Sequence, residues 1–439
     1  MNNIAFIKNN NLVKATLYGL LFWLILFFLV PFNIKQPLGI FPSLFLILNY
    51  LSFLIGLKII TTTKKENLNN YTDSINSKVL KSFFYVIVVI ALFGFLLKII
   101  DKFYIRGASF LYTISYNRII LENSGPSIIS IISALTTPFS FLPLFLYYKL
   151  PKKNLLWFFT SILLFFSPTI DFLMMGSRSG IFVIIILLGL YLFYYKKLKL
   201  NPIKVIIVIF VLAYLGMAST KLFLERTRDF AKTDKIAINH ILKHSGYNFT
   251  ITPRNSTKNN IIKTKNKTSQ AVKLGVINFA QYYLHGVYEF GYLYRNYNKQ
   301  HYFGAYTFNV FVKFINIIFR TNIDLKKVEN SPPRTGVYTS FFGPVFIDFG
   351  WFTFIFMFFF GAIQKTIYNK CLEGRFQFIP LLFYFLIINF FMPVFNFING
   401  AQGLYIITTF IIFSIIYKVL TGKLILKKEG DNKKYVKIL

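Results

Sequence analysis

Long apolar runs alternate with short polar segments along most of the chain. A helix needs about 20 apolar residues to cross the roughly 30 Å hydrocarbon core of a bilayer. Runs of that length predict an all-α polytopic membrane protein with about ten transmembrane helices. The predicted spans are residues 13–31, 38–60, 82–100, 126–148, 154–175, 180–195, 203–220, 340–367, 377–397 and 404–420.

The composition agrees with a chain that is solvated by lipid. The types AVILMFWYC make up 55% of the 439 residues, and charged residues make up only 15%. A soluble domain usually contains about 25% charged residues, so this chain has too few groups for a water-exposed surface. Cys371 is the single cysteine, which excludes an intrachain disulfide.

The net charge is +34, from 49 lysines and arginines against 15 aspartates and glutamates. In a soluble protein this excess would indicate nucleic acid, but here the basic residues lie between apolar runs, where they meet lipid and set the orientation. Lysine-rich gaps at 149–153 and 196–204 alternate with gaps that hold fewer basic residues, such as 396–403. We therefore expect no nucleic-acid partner, and we expect both termini in the cytoplasm.

This orientation divides the chain into three parts. Residues 1–220 form spans one to seven, residues 221–339 form a large external loop, and residues 340–439 form the last three spans and a basic cytoplasmic tail. Within the loop, residues 271–294 are aromatic and weakly charged, which predicts a helix at the outer membrane interface. Residues 307–319 form a second amphipathic stretch.

Arginines near the outer ends of the spans are the first candidates for function. The turn Gly176-Ser177-Arg178-Ser179-Gly180 leaves N–H groups and a guanidinium at the start of a helix, which suits an anion. Asp171 lies about two turns earlier and is placed to orient Arg178. The alternative is a tight turn whose arginine reaches the lipid headgroups.

A second candidate site leads from the loop into span eight. Arg334 follows Pro332 and Pro333 just above the membrane, and Asp348 lies within the outer leaflet. A charge at membrane depth costs about 2.5–3.5 kcal/mol, so such residues are usually functional. The alternative is a packing helix in which a neighbouring side chain satisfies Asp348.

Other polar groups give weaker signals. Arg226 and Arg228 can bracket a phosphate or act as interfacial anchors. His285 and His301 flank the aromatic part of the loop as bases or as structural imidazoles. No third ligand accompanies His240 and His244, and no nucleotide-binding or hydrolase motif is present, so we expect no metal and no cofactor.

The layout and several short motifs resemble the bacterial O-antigen polymerases (Wzy type), which polymerise oligosaccharide repeat units. The resemblance covers residues 80–420 in layout and includes the turn at Arg178, the aromatic run 301–308 and the segment 336–350. It implies a GT-C-like glycosyltransferase of the bacterial inner membrane whose active site faces the periplasm. Such an enzyme transfers a growing glycan from undecaprenyl diphosphate to the non-reducing end of an incoming lipid-linked repeat unit. Further partners implied are a chain-length regulator and a flippase.

The resemblance also suggests roles for individual residues. A sugar diphosphate already has a good leaving group, so arginines can stabilise the departing charge without a metal. Arg178 and Arg334 are expected to be catalytic and to bind the diphosphate. Arg226 and Arg228 are expected to bind it with them, although the arginine-rich motifs of the family do not align here. The candidate bases are Asp348, His285 and His301, and the tyrosines expected to stack on sugars are Tyr282, Tyr288 and Tyr306.

Three other functions fit parts of the pattern. An O-antigen ligase uses the same donor with a different acceptor. A polysaccharide flippase or transporter would not need a long external segment such as residues 221–339. A membrane-bound O-acyltransferase would favour a histidine within a span, and the predicted spans contain none.

The predicted orientation can be tested with reporter fusions. Fusions after Lys65, Lys153 and Lys199 should place the reporter in the cytoplasm, and a fusion after Ser256 should place it outside, because the basic gaps stay inside. Paired alkaline phosphatase and fluorescent-protein reporters measure this difference. A cytoplasmic signal at Ser256 would contradict the orientation and the external position of the candidate sites.

Overall fold

The computed structural model describes residues 11–61, 77–124, 127–174, 178–195, 234–400 and 402–429. It is 76% helical, and the strands β1 (Phe32–Ile34) and β2 (Ile251–Pro253) form one antiparallel pair. The predicted span at 203–220, Arg226 and Arg228 lie outside the described residues. The helices are α1 (Asn11–Leu29), α2 (Ile40–Ile59), α3 (Ser77–Ile99), α4 (Ile114–Asn123), α5 (Ile128–Thr136), α6 (Leu142–Tyr147), α7 (Leu155–Phe166), α8 (Pro168–Met174), α9 (Arg178–Tyr194), α10 (Asp234–His244), α11 (Asn255–Lys263), α12 (Lys267–Asn296), α13 (Asn309–Phe319), α14 (Leu325–Glu329), α15 (Phe342–Phe349), α16 (Thr353–Leu372), α17 (Ile379–Phe391) and α18 (Gly403–Glu429).

Within the described ranges, seven helical segments are long and apolar enough to cross a membrane. They coincide with seven of the predicted spans, and two shorter apolar helices, Gly180–Tyr194 and Phe376–Phe391, coincide with two more. The chain is therefore an all-α, multi-pass membrane protein, as the apolar pattern predicts. Exposed apolar side chains such as Phe28, Phe41 and Val89 cover the outside of the bundle, as expected for a surface that faces lipid.

The bundle is held together by close helix pairs. The longest contact joins α2 and α16, and further contacts join α1 to α17 and α3 to α5. Glycines permit the closest approach, because a Cβ at Gly56 would overlap the Phe358 carbonyl oxygen and a Cβ at Gly361 would overlap that of Phe53. Without a hydrophobic effect between helices in lipid, such backbone contact is a main source of stability.

The predicted span eight is broken. Helix α15 ends at Gly350, which has φ +55°, and a 3₁₀ turn (Gly350–Phe352) leads into α16. A side chain at Gly350 would meet the His301 ring. Gly350 therefore forms a backbone turn with positive φ beside Asp348, a conformation that glycine adopts at little cost.

The external segment is built around α12. This helix begins where the Asn266 side chain accepts a hydrogen bond from Ser269 N (3.1 Å), and it packs against α1, α2 and α15. The β1–β2 pair joins the end of α1 to the segment before α11. The predicted helices at 271–294 and 307–319 correspond to α12 and α13. We call the end of the bundle that carries residues 234–341 the loop end.

Two glycine substitutions should change stability in opposite directions. Gly361→Ala should lower the melting temperature, because its Cβ meets backbone atoms of α2 that cannot rotate away, and overpacking costs about 1–3 kcal/mol. Gly189→Ala is the matched control within an apolar helix, because no atom of the described residues, apart from the neighbouring backbone of α9 itself, lies within 4 Å of its added Cβ. Alanine there should be neutral or stabilising, since it gains up to about 1 kcal/mol of helix propensity. Thermal unfolding in detergent measures both, and equal melting temperatures would contradict the tight α2–α16 contact.

Candidate functional site

A cavity of about 510 Å³ opens at the loop end, between the end of α3 and the helices α4, α5, α13 and α18. Four cationic side chains line it, and we call it the basic cavity. Cations that surround one space in this way favour the binding of a phosphate or diphosphate. The four are Lys98, Lys102, Arg106 and Lys313.

Three of these cations lie on successive turns at the end of α3. Lys98, Lys102 and Arg106 are four residues apart, and residues at this spacing are neighbours on a helix surface. The α-helix changes here into a π-helix at Ile100–Ile105, a wider turn that often occurs at functional sites. The turn closes where Ala108 N donates to the Lys102 carbonyl oxygen (2.9 Å).

Two buried carboxylates hold these cations together. The Asp171 oxygens lie 2.7 Å from Lys98 Nζ and 2.6 Å from Lys102 Nζ. Asp101 Oδ2 lies 3.2 Å from Arg106 Nε. Asp171 thus pairs with two lysines near the end of α3. Its predicted pairing with Arg178 stays a prediction, because the Arg178 side chain lies outside what the structure describes.

The remaining walls leave an excess of positive charge. Helix α5 begins where Ser127 Oγ accepts from Ser130 N (3.0 Å), and the same hydroxyl donates to Asp101 Oδ1 (3.2 Å). Lys313 projects from α13, and Glu329 approaches it at 3.7 Å on the exposed side. The four cations thus meet two carboxylates, Asp101 and Asp171, within the bundle. A bound anion would complete the neutralisation, which in a low-dielectric environment strengthens its binding.

A second polar cluster surrounds Arg334. Its Nη1 donates to Glu289 Oε1 (2.7 Å), its Nη2 donates to the Gly246 carbonyl oxygen (2.9 Å), and its guanidinium lies 4.0 Å from the centre of the Phe249 ring. Thr250 Oγ1 also donates to Glu289 Oε1 (3.1 Å). Burial raises the pKa of the Glu289 carboxyl, and the Arg334 charge opposes that rise. The predicted catalytic residue Arg334 is therefore engaged on several sides by its own chain.

His285 lies one turn before Glu289 on α12 and is fully buried. Its Nδ1 contacts the carbonyl oxygens of Gln281 (3.1 Å) and Tyr282 (2.9 Å), and its ring lies 4.1 Å from that of Tyr247. Burial lowers the pKa of His285 to about 4, so the imidazole is neutral near pH 7. Its Nε2 is buried, and no residue that the structure describes forms a hydrogen bond with it. The predicted role of His285 as a base remains a prediction.

Asp348 is fully buried at the end of α15 and accepts two backbone hydrogen bonds. Its Oδ1 accepts from Tyr306 N (2.8 Å), and its Oδ2 accepts from Thr307 N (2.7 Å). His301 packs beside this loop, with Nδ1 3.1 Å from the Ile347 carbonyl oxygen. The carboxylate thereby fixes the segment that leads into α13. This geometry favours positioning over base catalysis for Asp348.

The three predicted sugar-stacking tyrosines lie in different surroundings. Tyr282 is half-buried, with its ring 5.5 Å from that of Tyr338. Tyr288 is buried against Trp23, with the ring centres 6.2 Å apart. Tyr306 is half-buried, and its carbonyl oxygen accepts from Asn399 Nδ2 (3.2 Å). Burial raises the pKa of both Tyr288 and Tyr306 to about 12.

Arg178 is the first residue of α9, at the same end of the bundle as the basic cavity. Two residues later, Gly180 shares a small cavity with Gln402, which also lines the basic cavity. None of the four cations of the basic cavity was singled out from the sequence as a candidate for function. The signal that marks three of them is the four-residue spacing of cations at the end of an apolar span.

The residues that the structure describes do not form a metal site. Within those ranges, no group of three or more His, Cys, Asp or Glu side chains is arranged to hold a metal ion. The arrangement that the loop end offers instead is electrostatic, with ammonium and guanidinium groups around one space.

Arg334 and Glu289 should be coupled in stability. Arg334→Gln leaves the Glu289 carboxylate, which is only 1% exposed, without its cation, and removing one partner of a buried pair costs about 3–5 kcal/mol. Adding Glu289→Gln to that variant should recover part of the loss, because no buried charge then remains. Thermal unfolding of the two variants and of the exposed control Lys299→Gln measures the coupling. An unchanged melting temperature of Arg334→Gln would contradict the coupling between Arg334 and Glu289.

Comparison with known proteins adds no identity to this geometry. No family model, no curated protein and no solved structure matches the chain. A function therefore has to be inferred from three features of the chain itself. They are the basic cavity, the Arg334 cluster, and the loop that Asp348 holds against α15.

Proposed function

We propose that the chain is a membrane glycosyltransferase that polymerises lipid-linked oligosaccharide repeat units. It transfers a growing glycan from undecaprenyl diphosphate to the non-reducing end of an incoming lipid-linked unit. In this proposal the chain is a GT-C-like enzyme of the bacterial inner membrane, with both termini in the cytoplasm and the loop end facing the periplasm. A chain-length regulator and a flippase act beside it.

The observation that carries the proposal is the basic cavity. A lipid diphosphate presents its charge at the membrane surface, and the cavity places Lys98, Lys102, Arg106 and Lys313 around one space at the loop end. The anionic leaving group needs counter-charges that are already in place when the glycosidic bond breaks. Asp171 and Asp101 hold three of these cations in position before substrate binds.

The reaction needs little more from the protein than charge and orientation. The anomeric carbon loses the diphosphate and gains the oxygen of the acceptor hydroxyl, whose proton passes to a base. Each charge-assisted hydrogen bond to the diphosphate contributes about 1.5–3 kcal/mol. Arg178 at the start of α9 is proposed to join the four cavity cations, and His301, His285 and Asp348 remain the candidate bases.

Charge reversal at Lys313 tests the proposal. Lys313→Glu should abolish polymer while single lipid-linked units persist, because a carboxylate repels the diphosphate. Lys313→Gln should slow polymerisation by about 10- to 100-fold, which corresponds to one lost charge-assisted bond. The side chain is 45% exposed, so neither change should prevent folding. Gel analysis of the glycan and immunoblots of the protein in a strain that lacks its own copy provide the measurements.

The matched control is Lys299→Glu, an exposed lysine of the same external segment that does not line the cavity. It should leave chain length and protein level unchanged. Normal polymer with Lys313→Glu at normal protein level would contradict the basic cavity as the diphosphate site. Loss of the single lipid-linked units as well would place the defect before polymerisation and would contradict the proposed reaction.

A further inference from the structure

An apolar groove of about 630 Å³ runs along the side of the bundle between α16, α17 and α18. Its floor includes Phe378, Leu381 and Phe385 from α17 and the turn before it. Several wall residues are exposed toward the surrounding lipid, including Phe359, Ile363 and Ile415. We call it the apolar groove.

Its first wall is one stripe of α16. The residues of this stripe follow the spacing of a single helix face: Phe356, Phe359, Ile363, Ile367 and Lys370. Lys370 comes 14 residues after Phe356, which is about 21 Å along the helix at 1.5 Å per residue.

The facing wall is a stripe of α18 with the same length. One face of this helix carries Leu404, Ile407, Ile411, Ile415 and Lys418. Lys418 comes 14 residues after Leu404, which is again about 21 Å. The groove thus extends over most of the roughly 30 Å hydrocarbon core of a bilayer. Lysines from both walls, Lys370 and Lys418, close the end that lies away from the loop end.

The other end of the groove lies next to the basic cavity. Helix α13 separates the two spaces: Val310, Lys313 and Phe314 line the cavity, and Phe311 lines the groove. The start of α18 also borders both spaces, because Tyr405 lines the cavity and Leu404 lines the groove. A molecule with an anionic head and a long apolar tail matches this pair of neighbouring spaces.

We infer that the apolar groove binds the isoprenoid tail of a long-chain polyprenyl diphosphate whose diphosphate occupies the basic cavity. The inference rests on the proposed function for the identity of the head. The tail leaves lipid and not water when it enters the groove, so it gains packing contacts rather than a hydrophobic transfer free energy. The tail site therefore acts chiefly by orienting the lipid, so that its head enters the cavity beside α13.

The test compares ligands that share a diphosphate and differ in tail length. The purified full chain in detergent is titrated with undecaprenyl diphosphate and with farnesyl diphosphate, and native mass spectrometry measures the bound fraction. Ile415→Trp fills the groove about 16 Å from its cavity end, at 1.5 Å for each of the 11 residues after Leu404. Ile415 is 56% exposed, so the larger ring should not disturb the core.

We expect Ile415→Trp to raise the Kd for undecaprenyl diphosphate at least about tenfold, or about 1.4 kcal/mol. The Kd for farnesyl diphosphate should stay within a factor of about two, because the short tail ends before the tryptophan. The matched control is Ile55→Trp, a residue that is 55% exposed on α2 and outside the groove. It should bind both ligands as the unmodified chain does.

The outcomes separate the groove from the proposed function. An unchanged Kd for undecaprenyl diphosphate in Ile415→Trp, or an equal loss in Ile55→Trp, overturns the groove as the tail site. Full displacement of undecaprenyl diphosphate by a comparable concentration of phosphatidylglycerol also overturns it, since ordinary acyl chains would then be the occupants. Lys313→Glu should weaken both diphosphates. If it weakens neither, the head site fails, and the proposed function loses its support independently of the groove.

Discussion

Charged side chains inside an apolar bundle have to be neutralised, and the Asp171 carboxylate does this for Lys98 and Lys102 at the end of α3. An unpaired charge at membrane depth is costly, and two ammonium groups one turn apart would also repel each other. The Asp171 carboxylate lies between the two ammonium groups, so it attracts both and reduces their repulsion. It also joins α8 to the widened end of α3. The cavity between α3, α5 and α13 depends on this contact, because it holds the two lysine side chains in place in an apolar surrounding.

A second buried carboxylate, Asp348, positions α13, which forms another wall of the basic cavity. Asp348 accepts hydrogen bonds from Tyr306 N and Thr307 N, and these two residues lie immediately before Phe308 and α13. Because α13 separates the basic cavity from the apolar groove, its position decides whether a head and a tail can be bound together. The break at Gly350 serves the same purpose, since it leaves room for His301 and the loop beside Asp348. Two buried carboxylates on different helices thus define one site.

The apolar runs made the helices predictable, because the thickness of a bilayer imposes a minimum length that can be counted along the chain. The amphipathic stretches α12 and α13 were predictable for a similar reason, from their spacing. The partners of the charged residues could not be predicted from the sequence. Asp171 pairs with Lys98 and Lys102, about 70 residues earlier in the chain, and sequence spacing carries no information on such contacts. The break at Gly350 was likewise not predicted, because a glycine within an apolar run is also compatible with an unbroken helix.

Arginine clusters that look equivalent in the sequence differ in what remains for a ligand. The guanidinium of Arg334 already has Glu289, the Gly246 carbonyl oxygen and the Phe249 ring as partners, so an anion would have to displace contacts that stabilise the loop. The basic cavity differs, because its four cations meet two carboxylates within the bundle and surround open space. Glu329 meets Lys313 only at 3.7 Å on the exposed side, so the four cations still exceed the three nearby carboxylates by one charge. An anion bound there is attracted by this excess. The residual charge of a cluster, rather than its number of arginines, therefore decides which of the two sites a diphosphate would enter.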